Sequence, residues 1–146
     1  MAESSAVREF NHEEELDALL ADFRAAAIPN DEWTHRDHLA IAALFIGEGL
    51  GLDEVRKGIQ RLNAANGIEQ TLERGYHETI TRAWMILLAE FLSSLPVEMS
   101  RLSRIQNVLG EFGDKRYLLR YYSRERIMSA GARYDWVEPD LEAFRA

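Results

Sequence analysis

The stretch that decides the fold is residues 75–92, which read GYHETITRAWMILLAEFL. Its second half is strongly apolar and contains neither proline nor glycine, so it predicts a largely buried helix over about 76–94. The first turn of that helix is polar and carries Tyr76, His77 and Glu78. A second polar helix start lies at residues 33–38, WTHRDH. We interpret the chain as organised around these two helix starts.

Apolar residues at helical spacing continue on both sides of this stretch. A cap formed by Asn11 and Glu14 predicts the start of a first helix, and Thr34 with Asp37 predicts the start of a second. A third helix is expected from about residue 53 to 66, the fourth over 76–94, a fifth over 98–112 and a short sixth around 117–122. The fold class is therefore all-α, a compact bundle of four antiparallel main helices with shorter C-terminal helices and an extended tail. Residues 1–10 are expected to be a flexible tail and residues 11–146 one domain.

Composition limits the classes of function. Hydrophobic residues make up 47 % of the 146 residues and the net charge is -8, which argues against a general nucleic-acid binder. There is no cysteine, so disulfides and thiolate sites are excluded. The N-terminus does not read as a signal peptide, and no apolar run approaches the roughly 20 residues of a membrane span. These features predict a cytoplasmic protein without a membrane or nucleic-acid partner.

The four histidines include three at the predicted helix starts. Short links predict that neighbouring helices run antiparallel, so the second and fourth helices point the same way and start at one end of the bundle. That arrangement brings His35 and His38 close to His77. Three imidazoles that leave one coordination position open would suit a divalent transition metal such as zinc, iron or manganese. Glu78 would then be the carboxylate partner or the general base, although it also stands four residues before Arg82, which favours a helical ion pair.

Two other interpretations of the histidines stay open. The same side chains can line a metal-free polar pocket, or they can be purely structural caps. Helix N-termini are partly positive, which disfavours a cation and favours neutral histidines that act as hydrogen-bond donors or general bases.

Aromatic and basic residues supply the candidate substrate contacts. Trp33 and Tyr76 can form the walls of a small-molecule pocket, and Thr81 lies one turn after His77 on the same helix face. The C-terminal segment interleaves arginines with tyrosines, and in it Arg133 is the candidate for binding an anion. The alternative is that the tyrosines belong to the core and the arginines pair with acidic residues.

Four segments of the chain resemble segments of a known protein family. WTHRDHL at 33–39, YHET at 76–79, YYS at 121–123 and WVEPD at 136–140 resemble a family of bacterial proteins of similar length that has no assigned reaction. The similarity extends from about residue 33 to 141. It implies a small stand-alone bacterial protein and no particular chemistry.

The sequence thus favours a small helical protein that binds a small molecule, with or without a metal, where the second and fourth helices begin. Hydrolase and oxygenase chemistry are both compatible with a metal at that place, so the pattern leaves open whether the protein is an enzyme. The alternative is a non-catalytic protein–protein interaction module with structural histidines. An exposed apolar helix face would also permit a homodimer.

Overall fold

A computed structural model describes residues 9–144, and within that range every regular element is a helix. In chain order the helices are α1 (Glu13–Arg24), α2 (His35–Gly47), α3 (Leu52–Ala65), α4 (Glu78–Ser93), α5 (Arg101–Phe112), α6 (Arg124–Ile127) and α7 (Ala130–Tyr134), with 3-10 segments at Asn30–Glu32 and Lys115–Arg120. The predicted all-α class is confirmed. Among these described helices none has the length and apolar character needed to cross a bilayer.

Two helices, α2 and α4, form the centre of the fold. Every residue of α2 from Leu39 to Phe45 is buried, so this helix is covered on all sides rather than along one stripe. It packs against α1, α3, α4 and α5. In α4 the buried residues include Trp84, one of the largest fully buried side chains.

The helices around this pair are amphipathic, as their spacing predicts. Buried positions recur every three or four residues in α1 (Leu16, Leu19, Leu20, Phe23), α3 (Val55, Gly58, Ile59, Leu62) and α5 (Ile105, Val108, Leu109, Phe112). Where α1 meets α3, a Cβ on Gly58 would overlap the Phe23 ring. Only glycine allows this close approach between the two helices.

The helix starts follow the predicted capping chemistry with one shift. Thr34 Oγ1 accepts the Asp37 N–H at 3.1 Å, and Asp37 Oδ2 accepts the Thr34 N–H at 3.3 Å, so the cap of α2 is confirmed. In α1 the cap lies one residue later than expected. Glu15 Oε1 accepts the N–H groups of both Asn11 and His12, because its side chain reaches back over the first turn.

The C-terminal segment packs over the start of α4. The predicted short sixth helix is instead the 3-10 segment Lys115–Arg120. Tyr121 and Tyr122 are both buried, which agrees with the core interpretation of the tyrosines. After α7 the chain is irregular, and Thr79 Oγ1 donates to Asp135 O at 2.8 Å and accepts the Val137 N–H at 3.1 Å.

The predicted flexible tail, residues 1–10, falls outside the described residues except for its last two positions. Of these, Phe10 is 1 % exposed and belongs to the core. Its carbonyl accepts a hydrogen bond from the Gln106 side chain at 2.9 Å. The described chain is therefore anchored to α5 before α1 begins.

Candidate functional site

A cleft of about 400 Å³ lies where the first turns of α2 and α4 meet. Six of the eight residues proposed from the sequence line it: Trp33, His38, Tyr76, His77, Thr81 and Arg133. The other two, His35 and Glu78, are not among its lining residues. Two segments more than thirty residues apart in the chain thus contribute to one concave surface.

His38 is the unusual side chain of this cleft. Its Nε2 is shielded from solvent and has no hydrogen-bond partner among the described residues. The ring lies beside Trp33, with centroids 5.9 Å apart, and Trp33 in turn stacks on Phe23 at 5.4 Å. Burial, with a smaller contribution from nearby His35, lowers the pKa of His38 to about 4. The imidazole is therefore neutral at neutral pH.

His77 is held through both ring nitrogens. Its Nδ1 accepts the Ile80 N–H at 3.1 Å and so caps α4. Because that nitrogen must be unprotonated, Nε2 carries the hydrogen and donates to the Ile127 carbonyl at 2.8 Å. Burial is the main cause that lowers the pKa of His77. The capping role that the sequence left open is thus present in the structure.

His35 faces away from the cleft. Its Nε2 lies 3.1 Å from the Phe112 carbonyl, to which it donates, and its ring lies 5.1 Å from Trp84. Burial is again the main cause that lowers its pKa. His35 and His38 share a helix turn but contact different neighbours.

This geometry bears on the metal hypothesis. His77 would have to give up one of its two hydrogen bonds to coordinate an ion, and His35 is bonded to a carbonyl outside the cleft. Within residues 9–144 no three histidine, aspartate or glutamate side chains are grouped so that they could hold an ion. The residues as they stand do not fit a three-histidine site. Metal binding stays a prediction that elemental analysis of untagged protein would test.

Glu78 belongs to an ion-pair network beside the cleft. Its two oxygens accept Arg56 Nε at 2.9 Å and Arg56 Nη2 at 2.8 Å, and Oε1 also accepts the Tyr76 hydroxyl at 2.9 Å. The Arg56 hydrogen bonds are the main cause that lowers the pKa of Glu78. A general base needs a carboxylate that takes up a proton near neutral pH, and this arrangement favours the opposite. Arg82, the predicted helical partner, lies instead over the Trp136 ring at 4.6 Å.

Arg133 fixes the wall of the cleft. Its guanidinium donates to three carbonyls of one loop, Leu72 at 3.1 Å, Glu73 at 3.1 Å and Gly75 at 2.8 Å. Gln70 holds the same loop from within, because its amide exchanges two hydrogen bonds with the Tyr76 backbone. The position of the cleft wall therefore depends on a side chain from α7.

The lining residues that were not proposed as site residues from the sequence include Asn63, Arg74 and the apolar residue Ile59. Ile59 and Asn63 are four residues apart and so share the face of α3 that points at the cleft. Their spacing was visible in the sequence, but it reads as ordinary helix packing until the opposing residues are known.

Comparison with protein-family models, with curated proteins and with solved structures found no match. The resemblance noted from the sequence segments therefore stays a prediction. The function has to be argued from the residues of the site.

A larger cavity of about 550 Å³ lies elsewhere, between the later turns of α2 and α4 and the start of α5. Small side chains leave this space open, Ala43 and Gly47 on α2 and Ala89 on α4. Its charged side chains are already engaged. Arg101 pairs with Glu13 and Asp17, Glu48 pairs with Arg24, and Arg104 donates to backbone carbonyls. The smaller cleft contains His38, whose Nε2 has no partner in the described part of the chain, so we place the candidate site there.

The buried histidines predict how stability depends on pH. Below about pH 6.5 the unfolded chain takes up protons that the folded protein, with its lowered histidine pKa values, does not bind. The free energy of unfolding should therefore fall as the pH is lowered from 6.5 towards 4, and His38 alone should account for about 3 kcal/mol at the acid end. Urea unfolding across this range, with His38→Phe expected to flatten the slope, is the measurement. A free energy independent of pH down to about 5 would contradict the burial argument.

Proposed function

We propose that the protein binds a small organic molecule in the cleft between the first turns of α2 and α4. The observation that carries this proposal is the neutral imidazole of His38, which lines the cleft while its Nε2 has no partner within residues 9–144. A shielded polar atom without a hydrogen bond costs about 1–3 kcal/mol, and native proteins rarely retain one without a use. Because that nitrogen is shielded from solvent, a ligand would recover this cost by bonding to His38 after the ring turns its Nε2 towards the cleft.

The surroundings of His38 support the same proposal. Concave sites that bind small molecules combine apolar and aromatic walls with a few converging polar groups. Here Trp33, Ile59 and Ile80 supply the apolar wall, and Asn63 with His38 supplies polar groups. Four antiparallel main helices, with α2 and α4 running in the same direction, would account for both helix starts lying at one cleft.

A matched pair of histidine-to-phenylalanine substitutions tests this role. His38→Phe removes an unpartnered nitrogen, so at about pH 8 it should raise the free energy of unfolding by about 1 kcal/mol while weakening ligand binding roughly tenfold. The matched control is His35→Phe, which leaves the Phe112 carbonyl without its donor and should lower stability by about 1–3 kcal/mol without changing binding. Urea unfolding gives the stability of each variant.

Binding itself is measured by an NMR screen of a chemically diverse fragment library. We expect hits that shift the Trp33 indole and Ile80 amide resonances in the wild type and bind His38→Phe more weakly. If no fragment shifts these resonances, or if His38→Phe lowers stability as His35→Phe does, the binding proposal fails. The interaction module with structural histidines would then be the better account of the chain.

A further inference from the structure

We infer that the molecule bound in this cleft is a small organic acid, with its apolar body against Trp33 and Ile80 and its carboxylate facing Arg74 and Arg133. This inference rests on the binding proposed above and adds the chemical class of the ligand. It is argued from the charges on the cleft wall, the helix termini and the apolar lining.

Positive charge on the cleft wall exceeds negative charge. Arg74 and Arg133 line the cleft with one carboxylate, Glu73. The Arg74 guanidinium forms no hydrogen bond or ion pair with any described side chain. Arg133 uses three of its five N–H groups on loop carbonyls, which do not cancel its charge. In a protein of net charge -8 this is a locally cationic surface.

The N-termini of α2 and α4 add to the positive charge at the cleft. The positive ends of the α2 and α4 dipoles lie at the cleft, because His38 is in the first turn of α2 and Ile80 in the first turn of α4. The buried Asp37 carboxylate offsets part of the α2 dipole, since it bonds the Thr34 N–H, but Asp37 does not line the cleft. A neutral His38 can donate a hydrogen bond to an oxyanion.

The lining also contains apolar side chains that can contact the body of an organic acid. Trp33, Ile59, Ile68 and Ile80 face the same space as the arginines. A fully hydrated inorganic anion would leave the exposed parts of Trp33, Ile68 and Ile80 in contact with water, whereas an aromatic or branched aliphatic acid covers them. The cleft therefore suits a molecule with one apolar part and one carboxylate rather than an isolated ion or a cation.

The test compares ligands of the same shape and different charge. Phenylacetate, phenylacetamide and 2-phenylethylamine, with isovalerate and isovaleramide as an aliphatic pair, are titrated by NMR at about 150 mM salt, where distant charges are screened. We expect each acid to bind at least about tenfold more tightly than its amide, and the amine not to bind.

Two arginine variants test which positive charge contributes to binding of the acid. Arg74→Gln should weaken phenylacetate binding about three- to tenfold and leave phenylacetamide binding unchanged. The control Arg61→Gln removes the same charge from α3, two residues from Ile59 and Asn63 and hence on the opposite helix face. It should leave both affinities unchanged.

The outcomes separate the two proposals. Amides that bind as tightly as acids, or equal effects of Arg74→Gln and Arg61→Gln, would overturn the organic-acid inference while small-molecule binding stands. If only neutral fragments from the wider library shift the cleft resonances, the inference fails in the same way. If neither the acids nor any library fragment binds, the proposed function fails and the inference with it.

Discussion

Replacing His77 with alanine should lower the free energy of unfolding by about 3 kcal/mol, because one side chain supports two distant parts of the fold. It caps α4 through the Ile80 N–H, and a lost cap costs about 1 kcal/mol. It also supplies the donor for the Ile127 carbonyl, fifty residues later in the chain. His77 is itself buried, so that carbonyl loses its partner where water has little access. Urea unfolding at about pH 8 measures the loss with the imidazole neutral.

His77→Asn divides this loss into its two parts. Asparagine is a good N-cap, so it should restore about 1 kcal/mol through the Ile80 N–H, but it is too short to reach the Ile127 carbonyl. The control is His12→Ala at the start of α1, where the side chain is exposed and forms no cap hydrogen bond. It should change stability by less than about 0.5 kcal/mol. A His77→Ala variant as stable as the wild type would show that the two hydrogen bonds do not exist in solution.

The second large effect is expected for Arg133→Ala, which should destabilise the protein by about 2 kcal/mol and release the cleft wall. Two of the three carbonyls that Arg133 binds, those of Leu72 and Glu73, lie in exposed hydrogen bonds and can be rehydrated, whereas the bond to the Gly75 carbonyl is part-buried. The loss is therefore smaller than for three fully buried groups. Amide hydrogen exchange over residues 70–77 should become faster while the centre of α2 stays protected. Because the loop forms one wall of the cleft, ligand affinity should fall as well.

Arg133→Lys distinguishes geometry from charge. Lysine keeps the positive charge, but a single ammonium group cannot reach three carbonyls as the planar guanidinium does. We expect it to recover less than half of the lost stability and to leave hydrogen exchange in the loop fast. Arg124→Ala, at an exposed position of α6, is the control for removing an arginine. If Arg133→Lys behaves like the wild type, the loop is held by charge alone.

The helices were predictable because their evidence is local. Apolar spacing marked the buried face of each main helix, and the Thr34 and Asp37 pair marked the start of α2. The errors are also local in origin. The cap of α1 uses Glu15, whereas the sequence predicted Glu14. The prediction was ambiguous because Glu14 and Glu15 are successive carboxylates and both fit the capping pattern. The segment 115–120 has helical spacing but coils as a 3-10 helix.

The pairing of charged side chains could not be predicted from the spacing of residues along the chain. Spacing favoured an ion pair between Glu78 and Arg82, four residues later on the same helix. In the folded chain Glu78 bonds Arg56 of α3 through both oxygens, and Arg82 covers Trp136. A bidentate contact in a half-buried place outweighs an exposed helical pair worth a few tenths of a kcal/mol.

The sequence by itself determined the positions of the two polar helix starts, since capping residues and apolar periodicity depend only on neighbours along the chain. Only the tertiary structure decided which imidazole is left without a partner. His35 and His38 are three residues apart, yet α5 provides a carbonyl for His35 and nothing described provides one for the Nε2 of His38. Hydrogen-bond satisfaction depends on groups brought together from distant parts of the chain, and no local pattern encodes that.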